Sequence, residues 1–280
     1  MNRTTGRLSA IQLVKEAYRG WSANRGAWLI ALALPAAIDV VVNAAFWRHT
    51  ASLVDQVQQG TDREADLETL HLETFLGDEM LLRFLALVAV NIIAMTLFAV
   101  SWHRLALLGE RPRLIPEVRS EHIRFALVAF ALVFGLSSIL MVGFAFTLVQ
   151  PAGMATILAL ILALLVYIKL SMLLPAAAVG VPCRIQDAWR MTSGQVLPLF
   201  WASLLALLPI IFGSLLLTFL LSGALPKLFG EGLLANLVLL AVKTLLNYFA
   251  LAVMVAIISL AYKEITRLPL AGNKNPTHGT

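Results

Sequence analysis

The sequence predicts an all-α integral membrane protein, a six-helix transmembrane bundle with both termini in the cytoplasm. Three observations predict it. Hydrophobic residues make up 60% of the chain and charged residues 13%, against roughly 45–50% and about 25% in soluble domains. Excess and deficit together are the composition of a membrane protein. Six stretches reach the ~20 mostly apolar residues that a spanning helix needs. Lys and Arg gather in alternate connections, which orients the spans.

The elements follow in order. Residues 1–26 form a cytoplasmic amphipathic segment. The membrane domain, 27–262, holds spans at about 27–47, 80–102, 125–150, 155–181, 196–221 and 233–262. No period-two alternation runs through them, which argues against a β-barrel. A helix satisfies its own backbone in lipid. Fifteen Lys and Arg fall in the N-terminal segment, the 103–124 and 182–195 connections and the tail 263–280; the opposite side has Arg48, Arg63 and Lys227. The tail is therefore cytoplasmic as well. The loop 48–79 is extracytoplasmic and acidic, from Asp55 to Glu79, and its Leu70, Leu72, Phe75 and Leu76 would form one side of a short surface helix. It lacks calcium-loop spacing and reads as a solvated segment. Trp21, Trp28, Trp47, Trp102 and Trp189 fall at or near the interfaces, as an aromatic belt requires, with Trp201 slightly deeper. The first span is too long for a signal-peptide core and reads as retained.

Glu16-Ala17-Tyr18-Arg19-Gly20-Trp21-Ser22-Ala23-Asn24 aligns without gaps with Asp187-Ala188-Trp189-Arg190-Met191-Thr192-Ser193-Gly194-Gln195. Both share acid–Ala–aromatic–Arg, then Ser–small–amide, and each precedes a span. Leu114–Arg124 holds the corresponding place before the third span. The pattern suggests a threefold hairpin repeat, with short cytoplasmic interfacial helices before spans 1, 3 and 5. Such helices bury aromatics in the headgroup layer and offer Arg to anionic phospholipid headgroups, at about 1 kcal/mol per basic residue. Tyr18, Arg19, Trp21, Trp189 and Arg190 are the expected lipid or partner contacts.

The stretch 167–208 reads Tyr-Ile-Lys-Leu-Ser-Met-Leu-Leu-Pro-Ala-Ala-Ala-Val-Gly, then Asp-Ala-Trp-Arg-Met-Thr-Ser-Gly-Gln before a Leu-rich span. It resembles uncharacterised bacterial six-helix membrane proteins related to the membrane domain of glycerophosphodiester phosphodiesterases. Lys169, Pro175, Asp187, Ala188, Trp189, Arg190, Thr192 and Gly194 fit that pattern. Lys169 stands where Arg is commoner. The resemblance implies the architecture and bacterial inner-membrane residence. It does not imply hydrolysis of glycerophosphodiesters, because no soluble phosphodiesterase domain follows the sixth span.

Asp39, Arg83, Lys169 and Lys243 fall inside predicted spans, where a charge costs about 2.5–3.5 kcal/mol. Arg83 is near an end and would snorkel. Lys243 is ten residues from the start of its span, ~15 Å, close to mid-depth. Asp39 with Asn43 and Lys243 with Asn247 share helix faces at i,i+4. The expectation is an intramembrane polar cluster of Asp39, Asn43, Asn91, Lys243 and Asn247; Lys169 either joins it or snorkels to the cytoplasmic side. It serves either as an ion or substrate site or as buried pairing that fixes helix packing.

Other chemistry is absent from the sequence. There is no phosphate-binding Gly-rich loop and no His-Glu-x-x-His; there is no Gly-x-Ser-x-Gly either. No cofactor or metal is expected. Cys183, the single cysteine, forms no intramolecular disulfide and reads as an inert interfacial thiol. The basic residues are explained by topology, so nucleic acid is not an expected partner; the lipid bilayer is. The leading functional expectation is a non-enzymatic scaffold, lipid-organising or accessory envelope component. The alternative is a small transporter or channel built on the polar cluster, and the third is a membrane-embedded lipid enzyme.

Overall fold

The computed structural model describes residues 8–60, 78–149, 154–230 and 232–266, with backbone alone at 47–60, 78–81 and 147–149. Helices follow the order α1 (Ala10–Ala23), α2 (Arg25–Gly60), α3 (Asp78–Leu108), α4 (Ser120–Val149), α5 (Met154–Leu170), α6 (Leu173–Ala178), α7 (Ile185–Met191), α8 (Val196–Phe229) and α9 (Leu233–Thr266). Among the described residues there is no strand. Six helical stretches are long and apolar enough to cross a membrane: Arg25–Phe46, Leu82–Leu108, Ser120–Phe146, Met154–Ala178, Val196–Phe229 and Leu233–Thr266. The protein is a multi-pass membrane protein of the predicted class. Phe130, Phe134, Phe212 and Phe219 point outward at 50–75% exposure, which water would penalise and acyl chains would not. The surface helix expected at 70–76 lies outside the described residues. So do the Pro151-Ala152-Gly153 turn and the tail beyond Thr266.

α9 is the central helix. Its most apolar stretch is 56% buried, against 11% for those of α4 and α8. Two cores form around it. One joins Leu13 and Ala17 of α1 to Ala202 and Ala206 of α8 and to Val253, Ile257 and Ala261 of α9. The other joins Ala31 and Leu32 of α2 to Phe98 and Trp102 of α3 and to Tyr248 and Ala252 of α9. Small residues dominate where helices meet: Ala17, Ala94, Ala202, Ala206, Ala252 and Ala261 are at 0% exposure. This is how membrane helices pack, since lipid leaves no hydrophobic drive between them and close backbone approach must supply the dispersion energy. Trp102 adds a fixed point, donating from Nε1 to the Ala252 carbonyl at 2.9 Å.

The first and last described residues, Leu8 and Thr266, and the arginine-rich connections share one end of the bundle, here called the basic end. Leu8 N donates to Gln195 Oε1 there, and Arg124 Nη1 to the Gly180 carbonyl. The tight packing sits in this half, because most buried residues of α3 and α9 run from Ala94 to Leu107 and from Tyr248 to Tyr262.

Of the short helices expected before spans 1, 3 and 5, α1 and α7 form and the third does not. Residues 109–119 are irregular. Gly109, at φ +72°, closes α3 with its N–H on the Leu105 carbonyl at 3.1 Å, a left-handed C-cap. Pro112 and Pro116 then remove donors and hold their predecessors out of the helical region. α7 owes its start to Asp187, whose carboxylate accepts from Arg184 N at 3.1 Å, a carboxylate at a helix N-terminus. Ala17 and Ala188, which align in the two matching segments, are both fully buried.

Candidate functional site

The expected intramembrane cluster divides into three groups. On α2 and α3, Asn43 Nδ2 donates to the Asp39 carbonyl at 2.7 Å and lies 3.3 Å from Asn91 Oδ1. The Asp39 carboxyl sits beside the Tyr248 hydroxyl of α9, yet neither Oδ1 nor that hydroxyl closes a hydrogen bond of good geometry. Lys243 and Asn247 share one face of α9 as expected, but the face is exposed and turned out of the bundle. They do not join Asp39. Lys169 is elsewhere again: its ammonium lies 5.2 Å over the Trp189 ring and 3.5 Å from Ser193 Oγ, at the basic end. A cation over an indole with its head near the interface is the snorkelling arrangement, apart from the Asp39 group. The physical reason is rotation. α9 turns its Tyr248–Ala252–Val255 side to α2 and α3, which leaves positions 243 and 247 outside.

The five expected interfacial residues also part company. Arg19, Trp189 and Arg190 are exposed. Tyr18 and Trp21 turn inward: the Tyr18 hydroxyl donates to the Ala206 carbonyl at 2.8 Å, and the Trp21 ring meets Phe249 edge-on at 4.7 Å and Trp28 at 5.8 Å. α1 is thus docked on α8 and α9 instead of lying free in the headgroup layer. Burial pushes the Tyr18 phenol above its ordinary pKa, so it stays a neutral donor.

Two concavities adjoin at the basic end. The larger, about 710 Å³, lies between the α1–α2 corner, α3 and α9; Trp21, Asn24, Ile30, Trp102, Leu105 and Leu260 are among its walls, with Arg111 and Pro112 at one edge. It is an apolar hollow with polar groups at its margin. The indole nitrogens of Trp21 and Trp28 are buried without a partner, and an unmet buried donor costs about 1–3 kcal/mol. The smaller, about 320 Å³, is polar and shares Arg111 and Pro112 with the first; Arg104, Arg113, Arg119, Glu110, Glu117 and His122 line it.

Arg104 anchors this second cleft. Its guanidinium forks onto Glu110 with two 2.8 Å bonds, reaches the Ala178 carbonyl at 3.3 Å and approaches Glu121 at 3.7 Å. The Ala178 carbonyl is presented by a Schellman turn: Val181 N bonds Ala176 O, Gly180 N bonds Ala177 O, and Gly180 takes φ +76°. Hydrogen bonding from Arg104 holds the Glu110 carboxyl below its usual range, helped by the charge of Arg119. Glu117 is lowered chiefly by Arg119, which bonds it at 2.9 Å. Arg111 makes no ion pair among the described residues.

Sequence reasoning reached the arginines only as topology markers and missed His122, Tyr248 and the buried His103–Ser259 pair at 2.7 Å. His122 had a readable signal, since a polar residue three places inside a helix start is a capping position. Compared with family models, curated proteins and solved structures, the chain finds no match.

Proposed function

We propose that the protein is a non-enzymatic, lipid-organising component of a bacterial inner membrane, oriented with its basic end in the cytoplasm. It would hold an anionic phospholipid in the hollow between the α1–α2 corner, α3 and α9. One observation carries the reading: the large apolar hollow opens at the arginine-rich end and has Arg111 on its edge. Acyl chain against Trp and Leu with phosphate near Arg is the complementarity a phospholipid requires. The transport reading loses support because its cation, Lys243, faces away from Asp39. It keeps one observation, the buried and unmatched Asp39 Oδ1, and predicts that Asp39→Asn abolishes a flux while the fold survives.

The test is native mass spectrometry of the chain released from bilayers of mixed phosphatidylcholine and phosphatidylglycerol. Selective retention of phosphatidylglycerol, reduced by Ala106→Trp, which fills the hollow, supports the reading. Equal retention of both lipids, or retention that ignores the filled hollow, refutes it.

A further inference from the structure

α4 begins at Ser120, and its first turn is capped in an unusual way. His122, three residues after Arg119, accepts the Arg119 backbone N–H on Nδ1 at 3.2 Å, while His122 N bonds back to the Arg119 carbonyl at 3.0 Å. The imidazole makes the half of a capping box that a glutamate usually makes, and an ordinary backbone turn bond closes the other side. Acceptance at Nδ1 fixes the proton of the neutral ring on Nε2, which becomes a donor. The residue is 7% exposed, and Nε2 has no partner among the described residues. His122 is among the residues that line the 320 Å³ cleft. A buried donor left unmatched in the wall of a cationic cleft calls for an acceptor from outside.

The surroundings define that acceptor. Four arginines line the cleft against two glutamates. Arg104 is committed to Glu110, Glu121 and the Ala178 carbonyl. Arg111 makes no ion pair among the described residues. Arg119 is held by Glu117 at 2.9 Å and Glu110 at 3.8 Å, and Glu117 also holds Arg113 at 3.5 Å. The Glu117 side chain is 58% exposed, and such surface pairs contribute little. A stronger, polyvalent oxyanion can therefore displace it. The N-terminus of α4 adds its positive dipole end to the same place.

We propose that this cleft is a phosphate-binding site, in which Arg111, Arg119 and the His122 Nε2–H hold the oxyanion and Glu117 acts as the carboxylate that it replaces. A phospholipid headgroup and a soluble phosphate ester present the same chemistry. In its lipid form the inference rests on the reading above, since Arg111 and Pro112 border both concavities; in its soluble form it stands alone.

The experiment uses the full chain in phosphatidylcholine nanodiscs. Inorganic phosphate is titrated, with chloride at equal ionic strength as reference, and binding is read by thermal shift. In parallel, phosphatidylglycerol retention is measured. Arg111→Gln and His122→Phe should each weaken binding by roughly tenfold or more, the scale of a charge-assisted or buried hydrogen bond. Glu117→Gln should tighten it, an effect that a merely structural glutamate would not have. Arg25→Gln, at the same end but outside the cleft, should leave it unchanged. Phosphate binding and selective lipid retention, both with this pattern, assign the site to soluble phosphates as well as lipids. Lipid retention with this pattern, without phosphate binding, assigns it to headgroups. Phosphate binding with the pattern but no selective lipid retention sinks the lipid reading and leaves the site standing. Lipid retention indifferent to Arg111, His122 and Glu117 overturns the inference and leaves the lipid reading standing. No binding of either probe overturns both. Should His122→Phe fail to fold, exposed Arg111 and Glu117 decide the matter.

Discussion

Gly143 of α4 faces α5 so closely that an added Cβ would meet Ala159 Cβ inside contact distance, with Ala155 O at 3.2 Å and Thr156 Cα at 3.5 Å. Two of these three neighbours are backbone, so α5 itself would have to move. Overpacking by one methyl costs about 1–3 kcal/mol. Separation would also loosen the Thr156 Oγ1 donation to the Gly143 carbonyl, already long at 3.4 Å; such bonds average ~0.6 kcal/mol in membranes. Against this, alanine is the better helix former by up to about 1 kcal/mol. The expected net for Gly143→Ala is a loss of about 1–2 kcal/mol. Gly135 lies in the same helix with open space where its Cβ would stand, so Gly135→Ala should be neutral or stabilising. Ala159→Gly placed in the Gly143→Ala background should recover at least half of the loss. Reversible unfolding in mixed micelles, followed by far-ultraviolet circular dichroism, gives all three values. Equal effects at positions 135 and 143, or no recovery in the double variant, would refute the claim that α4 and α5 pack backbone to backbone at Gly143.

Other outcomes follow from the same packing. Lys243→Met should leave stability within ~0.5 kcal/mol, as for a surface position, and the charge exchange Asp39→Lys with Lys243→Asp should not rescue Asp39→Lys; rescue in unfolding experiments would mean that the two charges meet after all. Because Glu110 is held below the usual carboxylate range in the folded state, its ion pairs stabilise the fold above the unfolded glutamate pKa and are lost as pH falls through the lower folded value. Glu110→Gln should therefore flatten stability against pH on the acid side, by less than about 1 kcal/mol because Glu110 is half exposed; an unchanged acid slope would contradict this. Burial, with the charge of Asp187, pushes the Cys183 thiol up. It should label with maleimide more slowly than a free thiol at neutral pH, and an impermeant reagent should reach it only from the cytoplasmic side; labelling from outside intact spheroplasts would invert the topology.

The short helices show how far sequence reading carried. Gly109, Pro112 and Pro116 are local signals and were enough to break the segment before α4, yet the expected repeat put a helix there. Asp187 and Ala188 behaved as the pattern suggested. The aromatic of each repeat did not behave alike: Tyr18 is bonded to Ala206, and Trp189 is exposed under Lys169. A shared aromatic character at those positions carries no information about which neighbour is available to cover the ring.

What the sequence alone determined is the class, the number of spans and their approximate limits. Spanning is a local property: about 20 apolar residues at 1.5 Å each cross a bilayer whatever surrounds them. Which way each helix faces was decided only by the tertiary structure. These spans are apolar on every side, so no stripe marks the inward face. Their rotation is set by where Ala202, Ala206, Ala252 and Ala261 let backbones approach and where Trp102 bonds α9. That rotation put Lys243 and Asn247 outside, brought Tyr248 to Asp39, and left His122 buried beside four arginines from two different elements. The arginines and His122 lie within one stretch, 104–122, so their proximity was local; what packing added is the burial of His122.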